Sequence, residues 1–183
     1  MAFADNAEPA QASEASTDAP KDRPRKETKF DRFTSTSGKI ICFTDYKTDL
    51  PKLDNIAVRA KCRIRIYTDI NTGKKTGFLR LTDNPYYEPV LWENIEYSDL
   101  GNIIEAITRL KTNFINETFP DAEHTCFFRT EDLFDIGYYS KEERKDKARW
   151  FLTIYGTRYY FKKNYDFENA LRGIYGYMTE LLK

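Results

Sequence analysis

Strict alternation of apolar and polar residues marks two stretches of the chain. From Val58 to Tyr67 the even positions are Val58, Ala60, Cys62, Ile64 and Ile66; the odd ones are Arg59, Lys61, Arg63, Arg65 and Tyr67. From Arg149 to Tyr155, Trp150, Leu152 and Ile154 point one way, while Arg149, Phe151, Thr153 and Tyr155 point the other. Period two with one apolar side predicts a strand that buries one face and leaves the other wet.

Weaker strand signals surround both stretches. Lys39–Asp45 is rich in β-formers. The turn Asp69–Lys75 leads into Thr76–Thr82, with Leu79 and Leu81 on the core side and Phe78 and Arg80 opposite. A fourth strand is expected at about Val90–Tyr97, after Asn84-Pro85. In the second part, Thr125–Thr130, Leu133–Tyr139 and Arg158–Lys163 read as strands, with Gly156-Thr157 turning the chain before the last of them. Ser140–Lys147 reads as a charged loop.

Two stretches change period. After Ser98 or Asp99 as cap, Leu100, Ile103, Ile104, Ile107, Leu110 and Phe114 recur at helical spacing until Pro120. After Asn164 or Asp166, Phe167, Ala170, Leu171, Ile174, Met178 and Leu181 do the same. The fold class this predicts is α+β: two ββββα units, about 39–119 and 124–183, with antiparallel sheet and both amphipathic helices on one side. The units repeat in architecture only, since no residue-level repeat is visible.

Residues 1–37 read as a disordered tail ahead of a single domain at 38–183. The first twenty residues are alanine-rich and carry Asp5, Glu8, Glu14 and Asp18 without a base; Lys21–Lys29 is then a basic cluster. So few large apolar groups do not offset the entropy of ordering such a segment. An acidic start with no hydrophobic stretch is not a secretory signal. The basic cluster fits a nucleic-acid arm, a localisation signal or a plain solvated linker.

Composition narrows the function. Lys plus Arg and Asp plus Glu both number 29, so the formal net charge is zero. That excludes a polycation that coats nucleic acid by bulk charge, but not local segregation of charge. No apolar run approaches the roughly 18–20 residues of a membrane helix. Cys42, Cys62 and Cys126 are odd in number and widely spaced, which predicts free thiols and an intracellular, reducing compartment. His124 is the sole imidazole, and no nucleophile motif surrounds it. Asp45, Asp49 and Asp54, or Asp132 and Asp135, are the carboxylates an Mg²⁺ enzyme would use. They read as solvated turn residues, and no phosphate-loop or H-E-x-x-H spacing accompanies them. The expectation is a non-enzyme without metal or cofactor.

With helices covering one face of the sheet, the other face collects Arg59, Lys61, Arg63, Arg65, Tyr67, Phe78 and Arg80. From the second half it takes Arg149, Phe151, Tyr155, Arg158, Tyr160 and Lys162. Cations neutralise phosphates and exposed rings stack on bases, a combination suited to single strands, whose bases are free. Four outward bases in succession, Arg59 to Arg65, need an anion or neighbouring acids; Glu93 and Glu96 on the fourth strand are the expected internal partners.

In element order and face chemistry, Val58–Thr82 and Arg149–Lys163 resemble the Whirly and PUR-alpha class of single-stranded nucleic-acid binders over roughly residues 39–183. The resemblance implies ββββα units, helices on one side of a curved sheet, and a basic, aromatic binding face. The function expected is non-enzymatic binding of single-stranded DNA or RNA. The other reading is a protein-interaction or assembly module, homodimeric in one form, since Arg and Tyr also dominate protein interfaces.

Overall fold

The computed structural model describes residues 27–49, 51–54, 60–83, 91–116, 122–140 and 148–183, with the side chains of 91, 92 and 114–116 left aside. Arg59, the basic cluster through Lys26, Pro85, Val90, Pro120 and the loop at 141–147 lie outside the described residues, as does the side chain of Phe114.

The elements run α1 (Lys29–Thr34), β1 (Ile41–Thr48), β2 (Lys61–Asp69), β3 (Lys75–Asp83), β4 (Leu91–Glu96) and α2 (Tyr97–Asn116), then β5 (His124–Arg129), β6 (Asp135–Ser140), β7 (Arg149–Ile154), β8 (Thr157–Tyr160) and α3 (Phe167–Leu182). This is an α+β fold. Its strands form two antiparallel four-stranded sheets, each in sequential order, β1-β2-β3-β4 and β5-β6-β7-β8. Helix α2 supplies the separation: twenty residues reach about 30 Å, too far for β4 to hand the chain directly to a neighbouring β5.

Alternation in β2 and β7 places apolar groups as the pattern predicts. Cys62, Ile64, Ile66, Leu79, Leu81 and Ile95 from the first sheet are buried in one cluster with Ile136, Leu152, Ile154 and Tyr159 from the second. Leu100, Ile103, Ile104 and Ile107 of α2 and Phe167, Leu171, Ile174 and Met178 of α3 complete it. Helix α3 belongs in sequence to the second unit, yet crosses both. Its Phe167 stacks on Phe161, ring centres 4.4 Å apart, while its far end packs on β2 and β3 of the first sheet. Gly77 makes room there, because a β-carbon at that position would come within 3.2 Å of Met178 and Ile66. A polar seam joins the sheets: the Tyr159 hydroxyl donates to Asp83 at 2.6 Å, and the Tyr155 N–H donates to Glu93 at 3.2 Å.

Four expectations are corrected. The tail expected to be disordered through residue 37 holds α1. Thr28 caps it reciprocally with Asp31: each backbone N–H donates to the other's side chain, at 3.0 and 3.1 Å. Leu133 is not in a strand; it takes a left-handed φ of 68° and closes the β5–β6 turn. The strand expected at Arg158–Lys163 ends at Tyr160, and Phe161 bridges Leu53 instead, so a segment following β1 lines the β8 edge. Finally, Asp45 and Asp135 are strand residues paired with arginines, not solvated turn residues.

Candidate nucleic-acid interface

The outward face of the first sheet is set by register. Across β1 and β2, Lys47 faces Arg63, Asp45 faces Arg65 and Phe43 faces Tyr67; across β2 and β3, Arg63 faces Arg80 and Arg65 faces Phe78. The acid that balances the β2 bases is therefore Asp45. Arg65 grips it with two hydrogen bonds, Nε to Oδ1 at 2.7 Å and Nη2 to Oδ2 at 2.8 Å, and Arg63 Nη1 approaches Oδ2 at 3.4 Å. The Arg65 hydrogen bond is the main cause holding the Asp45 carboxyl below its ordinary range, against the opposing effect of burial. The Arg65 guanidinium also lies 4.1 Å from the centre of the exposed Phe43 ring. Glu93 and Glu96 do not play the balancing part expected of them. Strand β3 stands between them and β2; Glu93 is opposite Leu81 on the core side, and Glu96 lies 3.7 Å from Lys29.

Tyr67 and Phe78 are on the outward side but are not available to solvent, being 6% and 1% exposed. The rings of Phe30 and Phe33 from α1 sit on them, with centres 5.0 to 6.1 Å apart. Lys29 pins the helix. Its ammonium lies 2.6 Å from Asp99 Oδ1, and its N–H donates to both Asp132 oxygens at 3.0 Å. Burial pulls the Lys29 ammonium down, but the Asp99 hydrogen bond and charge outweigh it and leave it raised. Lys61 and Arg63 remain at the uncovered side of this face, and Arg80 is half-buried.

The second sheet repeats the chemistry, with Phe127, Arg129, Arg149 and Arg158 exposed on its outward face and Asp135, Phe151 and Thr153 buried there. Arg129 grips Asp135 through Nε and Nη2 at 2.6 and 2.8 Å, and its guanidinium lies 5.1 Å from the centre of the exposed Phe127 ring. Arg158 lies 4.1 Å over Phe151, and Arg149 lies 4.2 Å over Tyr160 while meeting Asp54 at 3.1 Å. Phe151 is fully buried, contrary to its expected place as an exposed stacking ring. Opposite Gly137 on one side and Tyr160 on the other, it forms the floor on which Arg158 rests. Gly137 is required here: a β-carbon would overlap the Cys126 carbonyl oxygen and come within 2.6 Å of the Phe127 backbone. Tyr155 is exposed in the β7–β8 turn, and Lys162 is exposed beyond β8.

A concavity of about 570 Å³ lies at the rim of this sheet. Arg149, Lys162 and Lys163 line it together with Trp150 and Tyr165. Among the described residues, Arg158, Lys61 and Lys162 have no carboxylate partner. Sequence reasoning missed Phe43 and Asp45 of β1 and Phe127, Arg129 and Asp135 of the β5–β6 pair. Alternation at Thr125, Phe127 and Arg129 carried the signal for the latter. It also missed that His124 Nε2 lies 3.1 Å from Cys126 Sγ, a consequence of their sharing one strand face. Among the described residues no group of three or more His, Cys, Asp or Glu is placed to hold a metal, and no helix is long and apolar enough to cross a membrane.

The chain matches no protein-family model, no curated protein and no solved structure.

Proposed function

We propose that this protein binds single-stranded DNA or RNA without catalysing a reaction, using the outward face of β5–β8 as its principal surface. The observation that carries the reading is the pair of exposed arginines set over rings, Arg158 over Phe151 and Arg149 over Tyr160, at 4.1 and 4.2 Å. A guanidinium resting over a ring is a cation placed for phosphate beside a surface on which a base can stack; Arg158 has no carboxylate partner among the described residues, whereas Arg149 also meets Asp54. The adjoining concavity adds Lys162 and Lys163 to a lining that also holds Trp150 and Tyr165. The order ββββα–ββββα supports kinship in architecture with the Whirly and PUR-alpha class. Three free cysteines suit action inside the cell.

The test is fluorescence anisotropy with a labelled oligothymidylate and its RNA counterpart at low salt. The expected result is binding that weakens steeply with salt, and by about tenfold or more in the Arg149→Glu, Arg158→Glu double variant. Absence of binding at low salt refutes the reading.

One observation favours assembly as a second reading. Strand β1 is an edge of its sheet, and Ile40, Phe43 and Ile70 beside it are exposed. Light scattering on the free protein separates the two: a stable dimer indifferent to oligonucleotide supports assembly.

A further inference from the structure

Helix α1 lies where Tyr67 and Phe78 face outward on the first sheet, and it fills that place with rings of its own. Phe30 meets Phe78 edge-on at 5.3 Å, and Phe33 meets Tyr67 at 5.0 Å. The covered pair is flanked by the cations Arg63 and Arg65 on β2, with Arg80 across from Arg63 on β3. Rings on the outward side beside cations are what the second sheet also presents.

The cover is short. Six residues are too few for a helix to persist by itself. Of its polar anchors, Arg32 to Glu131 at 3.8 Å is exposed and is the kind that added salt or a competing polyanion weakens, whereas Lys29 to Asp99 and Asp132 is the partly buried one that holds the helix. Residues 34–40 behind it are exposed throughout, and Gly38 takes a left-handed φ of 78° in open surroundings.

We propose that α1 is a self-occupying cover: Phe30 and Phe33 hold the Tyr67–Phe78 platform in the free protein, and a single strand displaces them to stack there. The proposal rests on the single-strand reading above. It gives the protein a closed state, bound through β5–β8 alone, and an open one that engages both sheets. Apparent affinity is then reduced by the fraction of molecules that are open.

Two measurements on the full chain test it. In hydrogen exchange, saturating oligothymidylate is expected to speed exchange of the Arg32 and Ser35 amides, whose acceptors are Thr28 and Asp31 within α1. In anisotropy, the Phe30→Ser, Phe33→Ser variant is expected to bind about tenfold tighter, as when roughly one molecule in ten is open at rest. If the variant folds poorly, Lys29→Ala with Arg32→Ala loosens the anchors without touching the rings and is expected to shift affinity the same way. Oligonucleotide binding with α1 amides still protected and no tightening in the variants overturns the cover and leaves the single-strand reading standing. Binding by no form of the chain overturns both.

Discussion

At the scale of single residues, the recurrent unit is an arginine that grips a carboxylate on the adjacent strand and lies against a ring two positions from itself or from its partner. Arg65 with Asp45 and Phe43, and Arg129 with Asp135 and Phe127, are two copies. The unit fixes the guanidinium plane but uses part of its charge, so Arg65 offers less to a phosphate than its position in a basic run suggests. Asp45→Asn removes two charge-assisted hydrogen bonds and is expected to cost about 1–3 kcal/mol at neutral pH by urea unfolding. Its pH dependence has a fixed sign. Because the folded carboxyl is held below its ordinary value, its contribution is full above the unfolded pKa of about 3.9 and fades as pH falls through the lower folded value. The gap between Asp45→Asn and the parent should therefore be widest near neutral pH and narrow in acid; a gap that widens in acid contradicts the assignment. Gly137→Ala has no tolerated geometry, and a loss of several kcal/mol is expected in the same assay.

At the scale of elements, α1 and α3 both act through what they lie on. A peptide of residues 27–40 should show a random-coil circular dichroism spectrum, because its helix depends on the Tyr67–Phe78 platform and not on intrinsic propensity. Helix α3 spans both sheets, and Met178, fully buried over Gly77, is among its contacts with the first. Met178→Ala is expected to lose about 2–5 kcal/mol, with thermal unfolding as the measurement. Gly77→Val should be costly for the opposite reason, through overpacking. Sequence pattern located α3 and its apolar stripe correctly, but not its target. A stripe of Phe167, Leu171, Ile174 and Met178 states that one side is buried without stating against which strands.

At the scale of the whole molecule, one core receives side chains from both sheets and both long helices, with Tyr159–Asp83 and Tyr155–Glu93 across the seam. Calorimetry should accordingly show one unfolding transition whose calorimetric and van't Hoff enthalpies agree; two separable transitions would mean the units fold independently. The net charge of zero also takes on meaning only here. Asp45 with Arg65 and Asp135 with Arg129 pair across strands on the two sheets, while Lys61 on the first and Arg158 and Lys162 on and beside the second have no carboxylate partner among the described residues. Neutrality overall thus coexists with a local basic surface.

What the sequence determined by itself follows from short-range periodicity. Alternation in β2 and β7 decided which side of each strand is apolar, and the 3.6-residue recurrence decided α2 and α3, because side-chain direction in a regular backbone depends only on neighbours in sequence. Whether an outward residue is exposed depends on segments remote in the chain, and that the tertiary structure alone decided. Tyr67 and Phe78 are covered by Phe30 and Phe33, some forty residues away in sequence, and the charge of Arg65 is met by Asp45 from β1. Period two separates the faces of a strand; only the fold determines what lies upon them.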